Sequence, residues 1–172
     1  MLIRQERQSD YDDVRRLVIT SFATNEDDDG TTHDYFDALR AKNVFIPELS
    51  LVAENETGEI IGQALLYKTE ISIPKGALTE LLLSPICVHP NYFRKGIACA
   101  MTEEALRIAR DMGFRAVFLC GNPEIYSKLG FTPTYRHNIF HKKDEKKTAQ
   151  WSMVRELYDG ALCGVSGTVD TV

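Results

Sequence analysis

The chain has 172 residues, 44% of them hydrophobic, and a formal net charge of −5. That is enough apolar material for one domain with a buried core, and it argues against disorder along the whole length. The acidic balance argues against general nucleic-acid binding, which needs a basic face, and no apolar run approaches the roughly 20 residues that span a bilayer.

Met1 leads straight into Leu2-Ile3-Arg4, so the expectation is a cytoplasmic protein without a signal peptide. The cysteines Cys87, Cys99, Cys120 and Cys163 lack metal-ligand spacing and read as reduced thiols. Cys87 and Cys120 fall in apolar, strand-like runs, which predicts buried packing groups.

Residues 2–6 alternate in part and read as a first strand. Ser9 is a candidate helix cap, with Asp10, Asp12 and Asp13 favourable in the first turn. Val14, Leu17, Val18 and Phe22 then share one helical face. Residues 25–30, Asn-Glu-Asp-Asp-Asp-Gly, end that helix. Their carboxylates could attract an amine, but a run of like charge reads first as a solvated loop. Thr32 is a candidate cap for a second helix over residues 33–42, with Tyr35, Phe36 and Leu39 inward.

Residues 49–53 and 59–73 are apolar runs flanking the turn Asn55-Glu56-Thr57-Gly58, which predicts a hairpin. After Pro74-Lys75-Gly76, residues 78–88 form a fourth strand. The Leu81-Leu82-Leu83 run predicts burial on both faces. Pro85 donates no ladder hydrogen bond, so a bulge or splay is expected there. Residues 91–98 then form a basic loop with Arg94, Lys95 and Gly96, opening a helix over residues 97–112 that Gly113 stops. A helix N-terminus, two cations and a residue without a side chain suit a phosphate. Taken alone, the same residues read equally well as a solvated connection.

Residues 114–120 give a fifth strand, parallel to the fourth through the intervening helix, so the sheet is mixed with helices on its faces. Gly121-Asn122-Pro123 introduces a short helix over residues 124–129. Gly130 caps it in a left-handed conformation and Phe131 turns inward. Residues 136–147 read as a polar loop or weak hairpin, and residues 150–158 as a final strand. With no repeat and no linker, residues 1–158 read as one domain, and residues 159–172 as its tail or an extra strand.

With residues 84–131 as its core, and over roughly residues 2–157, the chain resembles the GNAT family of acyl-CoA-dependent N-acyltransferases. The window Phe93-Arg94-Lys95-Gly96-Ile97-Ala98 is similar to the family signature Gln/Arg-x-x-Gly-x-Gly/Ala, with Phe93 in place of the usual polar residue. Val88-His89-Pro90-Asn91-Tyr92 and Tyr126-x-x-x-Gly130-Phe131 also look like family motifs. The resemblance implies an α/β fold with a mixed, mostly antiparallel central sheet of about six to seven strands, helices on both faces, and splayed fourth and fifth strands. It implies acetyl-CoA as cosubstrate, with the main chain of Ile86, Cys87 and Val88 holding pantetheine and an amide near Val88 polarising the thioester. Arg94, Lys95, Gly96, Ile97 and Ala98 would hold the pyrophosphate, with Asn122 a further cofactor contact.

Acyl transfer from a thioester to an amine needs a donor for the developing oxyanion, a route for the amine proton and a proton for the thiolate. The resemblance implies Tyr126 as the general acid, since the family motif places a tyrosine near the CoA sulfur, and a phenol with a pKa of about 10 stays protonated at neutral pH. Its bland alternative is a core tyrosine. Glu80 shares a strand face with Leu82 and Ser84 and is the candidate base through a water; it reads equally as a surface carboxylate. His89 is assigned a structural place at the turn. Neither a Gly-x-Ser-x-Gly elbow nor a Gly-x-x-x-x-Gly-Lys-Ser/Thr loop is present, which argues against a serine hydrolase and an ATPase. The expected acceptor is a small-molecule or protein primary amine, and the expected assembly a monomer or homodimer. The competing reading is a catalytically inactive CoA-binding sensor or partner module.

Overall fold

The computed structural model describes residues 1–23 and 29–171. Residues 25–28 of the acidic stretch therefore lie outside the described residues. The contacts group the chain into two compact units, Met1–Tyr67 with Ser84–Ile108 and Lys68–Leu83 with Ala109–Val172.

The first unit is built on β1 (Leu2–Gln5), β2 (Phe45–Glu54), the opening half of β3 (Ile60–Ile73) and the closing half of β4 (Gly76–Val88). Its helices are α1 (Tyr11–Phe22), α2 (Thr32–Arg40) and most of α3 (Ile97–Asp111). β1 and β2 are antiparallel, with Leu2 opposite Glu54 and Gln5 opposite Leu51, and β2 runs antiparallel to β3. Only Pro74 and Lys75 connect β3 to its neighbour β4, a length that forces an antiparallel hairpin.

Alternation decides which helix covers which face. Ala53, Ala64 and Val88 pack with Ile97 and Met101 of α3. A Cβ on Gly62 would lie 2.8 Å from Met101 Cε, so this glycine permits the close approach of α3. On the opposite face Ser21 of α1 hydrogen-bonds the Cys87 thiol, and the Tyr67 hydroxyl meets that of Tyr35 on α2 at 2.8 Å. Val14, Leu17 and Val18 make the buried stripe of α1. Each such side chain, fully buried, contributes roughly 1.5–3 kcal/mol. Arg40 ties α2 to the sheet: its guanidinium lies 4.0 Å from the Tyr11 ring centroid and pairs with the buried Glu6, which also accepts from Ser50 Oγ at 2.7 Å.

The second unit takes the remaining halves of β3 and β4. It adds β5 (Ala116–Cys120), α4 (Pro123–Tyr126), β6 (Thr132–Pro133), β7 (Ile139–His141), β8 (Ser152–Glu156) and β9 (Gly167–Val169). Its strand order is β3-β4-β5-β8-β6, with β9 pairing both β3 and β7. The β4–β5 ladder is parallel and short, Leu81 opposite Val117 and Leu82 opposite Phe118, whereas β4 runs on to Val88. β5 and β8 are antiparallel over five pairs. A Cβ on Gly167 would stand 2.2 Å from Ser72 O, so only glycine lets β9 lie this close to β3.

The mixed, mostly antiparallel sheet matches the expectation, but the described residues carry nine strands where six or seven were expected. The additional ones are the two- and three-residue pieces after Phe131, too short to show alternation. Gly130 has the expected left-handed backbone, φ 76°, and Phe131 is buried. Cys120 departs from expectation: it ends β5, is exposed, and its Sγ lies 2.7 Å from Thr171 Oγ1.

His141 pins the last segment of this unit. It is 2% exposed; its Nδ1 lies 3.1 Å from Lys143 N and its Nε2 3.3 Å from Thr171 N, and the neutral ring accepts from one of the two. Burial lowers its pKa below the usual histidine range; Asp170 and Asp144 oppose this, and Lys143 and Lys142 reinforce it. A lowered folded pKa means that stability is complete above the unfolded value of about 6.5 and is lost as pH falls through the folded value. Trp151, the single tryptophan, contacts the His141 ring edge-on at 4.7 Å. An imidazolium quenches a nearby indole, so Trp151 emission is expected to fall with an apparent pKa below about 6.5. The His141→Phe variant is expected to lose this step in a fluorescence pH titration.

Candidate active site

The loop between β4 and α3 is shaped by two left-handed residues. After the short helical turn Pro90–Tyr92, Phe93 is extended, Arg94 has φ 62° and Gly96 has φ 76°. For arginine this conformation costs roughly 1–2 kcal/mol, the kind of local strain that accumulates at ligand sites. Among the described residues, the main-chain N–H groups of residues 94–99 have no acceptor; Ala100 N is the first to pair, with Gly96 O at 3.0 Å. Successive free amides at a curled turn make an anion-binding concavity. The 15-residue helix α3 adds its partial positive charge. Arg94 and Lys95 are exposed at the same turn, as is Phe93.

The strand leading into the loop is tied down. His89 N donates to Ile61 O at 2.8 Å, and Ser21 Oγ donates to Val88 O at 3.1 Å. Ile86 and Val88 point toward the α3 cluster, and Cys87 points the other way. Burial pushes the Cys87 thiol up to about 12, against smaller opposing effects of Ser21 and the Gln63 main chain. At neutral pH it is a packed thiol and not a thiolate nucleophile.

In the second unit, Asn122 caps α4: its Oδ1 accepts from Glu124 N at 2.9 Å. The Tyr126 ring occupies the space a side chain on Gly121 would need, with Cε2 2.3 Å from the position of such a Cβ. It also meets Phe131 edge-on at 5.9 Å. Burial raises the Tyr126 pKa above its ordinary value, which keeps the phenol protonated well past neutral pH. Glu80 is 3% exposed and is not a surface carboxylate. Its Oε2 accepts from Arg115 N at 2.9 Å and Ala116 N at 3.2 Å. Burial raises its pKa, opposed by those two bonds and by the Arg115 charge.

The first unit thus brings together Ile86, Cys87, Val88, Arg94, Lys95, Gly96, Ile97 and Ala98, while Tyr126, Asn122 and Glu80 belong to the second. Sequence reasoning missed the Cys99 amide, the left-handed Arg94 and the Ser21 tether. Only the basic turn before a helix hinted at the first; a residue count signals neither of the others.

A family model described as an acetyltransferase (GNAT) domain matches residues 2–134. The uncharacterized N-acetyltransferase YhbS of Escherichia coli K12 is 28% identical over 170 residues, which span 99% of this chain and 95% of the relative. The solved structure of YhbS from Escherichia coli in complex with CoA matches with a TM-score of 0.84 at 26% identity, covering 99% of this chain and 89% of that one. A GNAT family acetyltransferase from Brucella melitensis, solved in complex with acetyl-CoA, shares the fold with a TM-score of 0.75 at 24% identity, over 98% of this chain and 94% of its own.

Nothing lies within 4 Å of a Cβ placed on Gly96, so backbone conformation alone resists a side chain there. Gly96→Val is therefore expected to leave the chain folded but reshape the turn, weakening inorganic pyrophosphate about tenfold or more by calorimetry.

Proposed function

Because the chain belongs to the GNAT family of acetyltransferases, we propose that it transfers an acetyl group from acetyl-CoA to a primary amine by direct attack in a ternary complex. The observation that carries this reading is the run of amides over residues 94–99, from the left-handed Arg94 into the first turn of α3, that have no acceptor among the described residues. A pyrophosphate fits such a cradle in charge and in hydrogen-bond polarity. The CoA complex of the similar YhbS structure supports the same cosubstrate here. The pantetheine arm is placed along the main chain of Ile86, Cys87 and Val88, with Gly96, Ile97 and Ala98 on the pyrophosphate and Arg94 and Lys95 supplying charge. Asn122 is left out of the cofactor set, because its side-chain oxygen already caps α4.

In the reaction the amine nitrogen attacks the thioester carbonyl carbon. A C–N bond forms, the C–S bond breaks, the amine gives up one proton and the departing thiolate gains one. Tyr126 is the proposed donor of that second proton; its raised pKa keeps the proton available at neutral pH. The inert Cys87 thiol supports direct attack over an acyl-cysteine intermediate. Glu80 enters as a positioning residue and not as the base expected from its strand face, because two main-chain amides at the start of β5 occupy Oε2. The acceptor is a small-molecule or protein amine, and the net charge of −5 favours a cationic one.

Amine-dependent release of free CoA separates an enzyme from a binding module. Tyr126→Phe is expected to lower turnover about a hundredfold while leaving the acetyl-CoA dissociation constant within about twofold. Unchanged turnover would remove Tyr126 from the mechanism, and no amine-dependent release from the wild type would favour the module.

A further inference from the structure

A cavity of about 360 Å³ lies within the second unit, beside β6, the last strand of the sheet path next to β8. The volume is near the lower end for ligand sites, which suits a small molecule. The space exists because its back is bare. Gly130 carries no side chain there, and Thr132 is small and stands opposite the buried Val154 across the β6–β8 ladder. A Cβ on Gly130 would meet Arg155 Nε at 3.4 Å, so the Arg155 side chain lies across this glycine. The walls are held in place. Arg155 Nη1 donates to Leu129 O at 2.7 Å, Glu156 Oε1 accepts from Leu162 N at 2.7 Å, and His137 Nε2 lies 3.0 Å from Thr132 Oγ1.

Two charges of the lining are left over. Arg136, on the short helical turn Thr134–His137, donates to the Tyr135 hydroxyl but pairs with no carboxylate among the described residues. Asp159, beyond β8, pairs with no cation among them. Both are exposed, both line this cavity, and they stand too far apart to pair with each other. The whole lining holds two guanidiniums, Arg136 and Arg155, and two carboxylates, Glu156 and Asp159. An ion of one sign meets as many like charges there as opposite ones. A small zwitterion escapes that conflict, because it can turn its anionic end to Arg136 and its ammonium to Asp159.

We propose that this cavity binds a free α-amino acid, with its carboxylate on Arg136, its ammonium on Asp159 and its Cα over Gly130 and Thr132. The planar guanidinium of Arg136 has five donors and matches a carboxylate in two parallel bonds. An ammonium beside a carboxylate keeps its proton and is not a nucleophile, so this occupant is a bound ligand and not the acetyl acceptor. The assignment is independent of the acetyl-CoA reading. The cavity borders the segment that carries the proposed proton donor, since Gly130 ends the turn after Tyr126 and Phe131 N donates to Tyr126 O at 3.1 Å.

The test is a titration of the ¹⁵N-labelled full chain at neutral pH and fixed ionic strength with three probes: L-alanine, propionate, which lacks the ammonium, and ethylamine, which lacks the carboxylate. L-Alanine is expected to give saturable shifts of the Gly130, Thr132, Arg155 and Glu156 amides with a dissociation constant of about 1–10 mM. Propionate and ethylamine should bind about tenfold more weakly or worse. Arg136→Gln and Asp159→Asn keep the size of two exposed side chains, so their spectra away from the cavity should match the wild type. Each should weaken L-alanine about tenfold or more. Three results would overturn the assignment: no saturable shift of these amides with L-alanine up to about 50 mM, propionate or ethylamine binding as well as L-alanine, or both variants binding L-alanine like the wild type.

Discussion

Six consecutive main-chain N–H groups, residues 94–99, have no acceptor among the described residues. Backbone donors carry a hydrogen-bonding demand that folded chains nearly always meet. Here the chain bends away from meeting it internally. Arg94 accepts an unfavourable left-handed conformation and Gly96 a second one, so the chain curls here and does not enter a ladder. The surroundings hold that arrangement in place. Ser21 of α1 fixes Val88 O, His89 N is anchored on β3, and the bare Gly62 lets Met101 seat α3 against the sheet.

The same economy separates packing groups from chemical ones. Cys87 is a potential nucleophile by type, but it is sealed under α1, and burial keeps its proton on. Tyr126 is also raised by burial, but for a proton donor that shift is useful. Glu80 is a carboxylate on a suggestive strand face whose acceptor capacity the first amides of β5 already engage. Residue type alone would rank these three differently from their environments.

Much of this was legible in the sequence. The helix-forming stripe of Val14, Leu17 and Val18, the Asn55–Gly58 turn and the left-handed Gly130 follow from periodicity and turn chemistry, which are local. The basic turn before a helix pointed to the loop whose amides the proposed function uses. What sequence reasoning missed depends on distant partners. The pairing of Ser21 with Val88 O joins residues far apart in the chain. The burial of Glu80 is set by where β5 starts, and the strands after Phe131 are too short to alternate. Cys120 read as buried because its run is apolar, yet it is the last residue of its strand and is exposed, although its backbone still pairs with Ser152.

The account stands on the loop amides as the seat of the cosubstrate pyrophosphate. The direct measurement is a titration of ¹⁵N-labelled protein with acetyl-CoA, followed by amide resonances and hydrogen exchange. The account predicts that the N–H resonances of residues 94–99 shift downfield as bonds to phosphate oxygen form, and that their exchange slows. Acetyl-CoA binding that leaves those six resonances unmoved would contradict it.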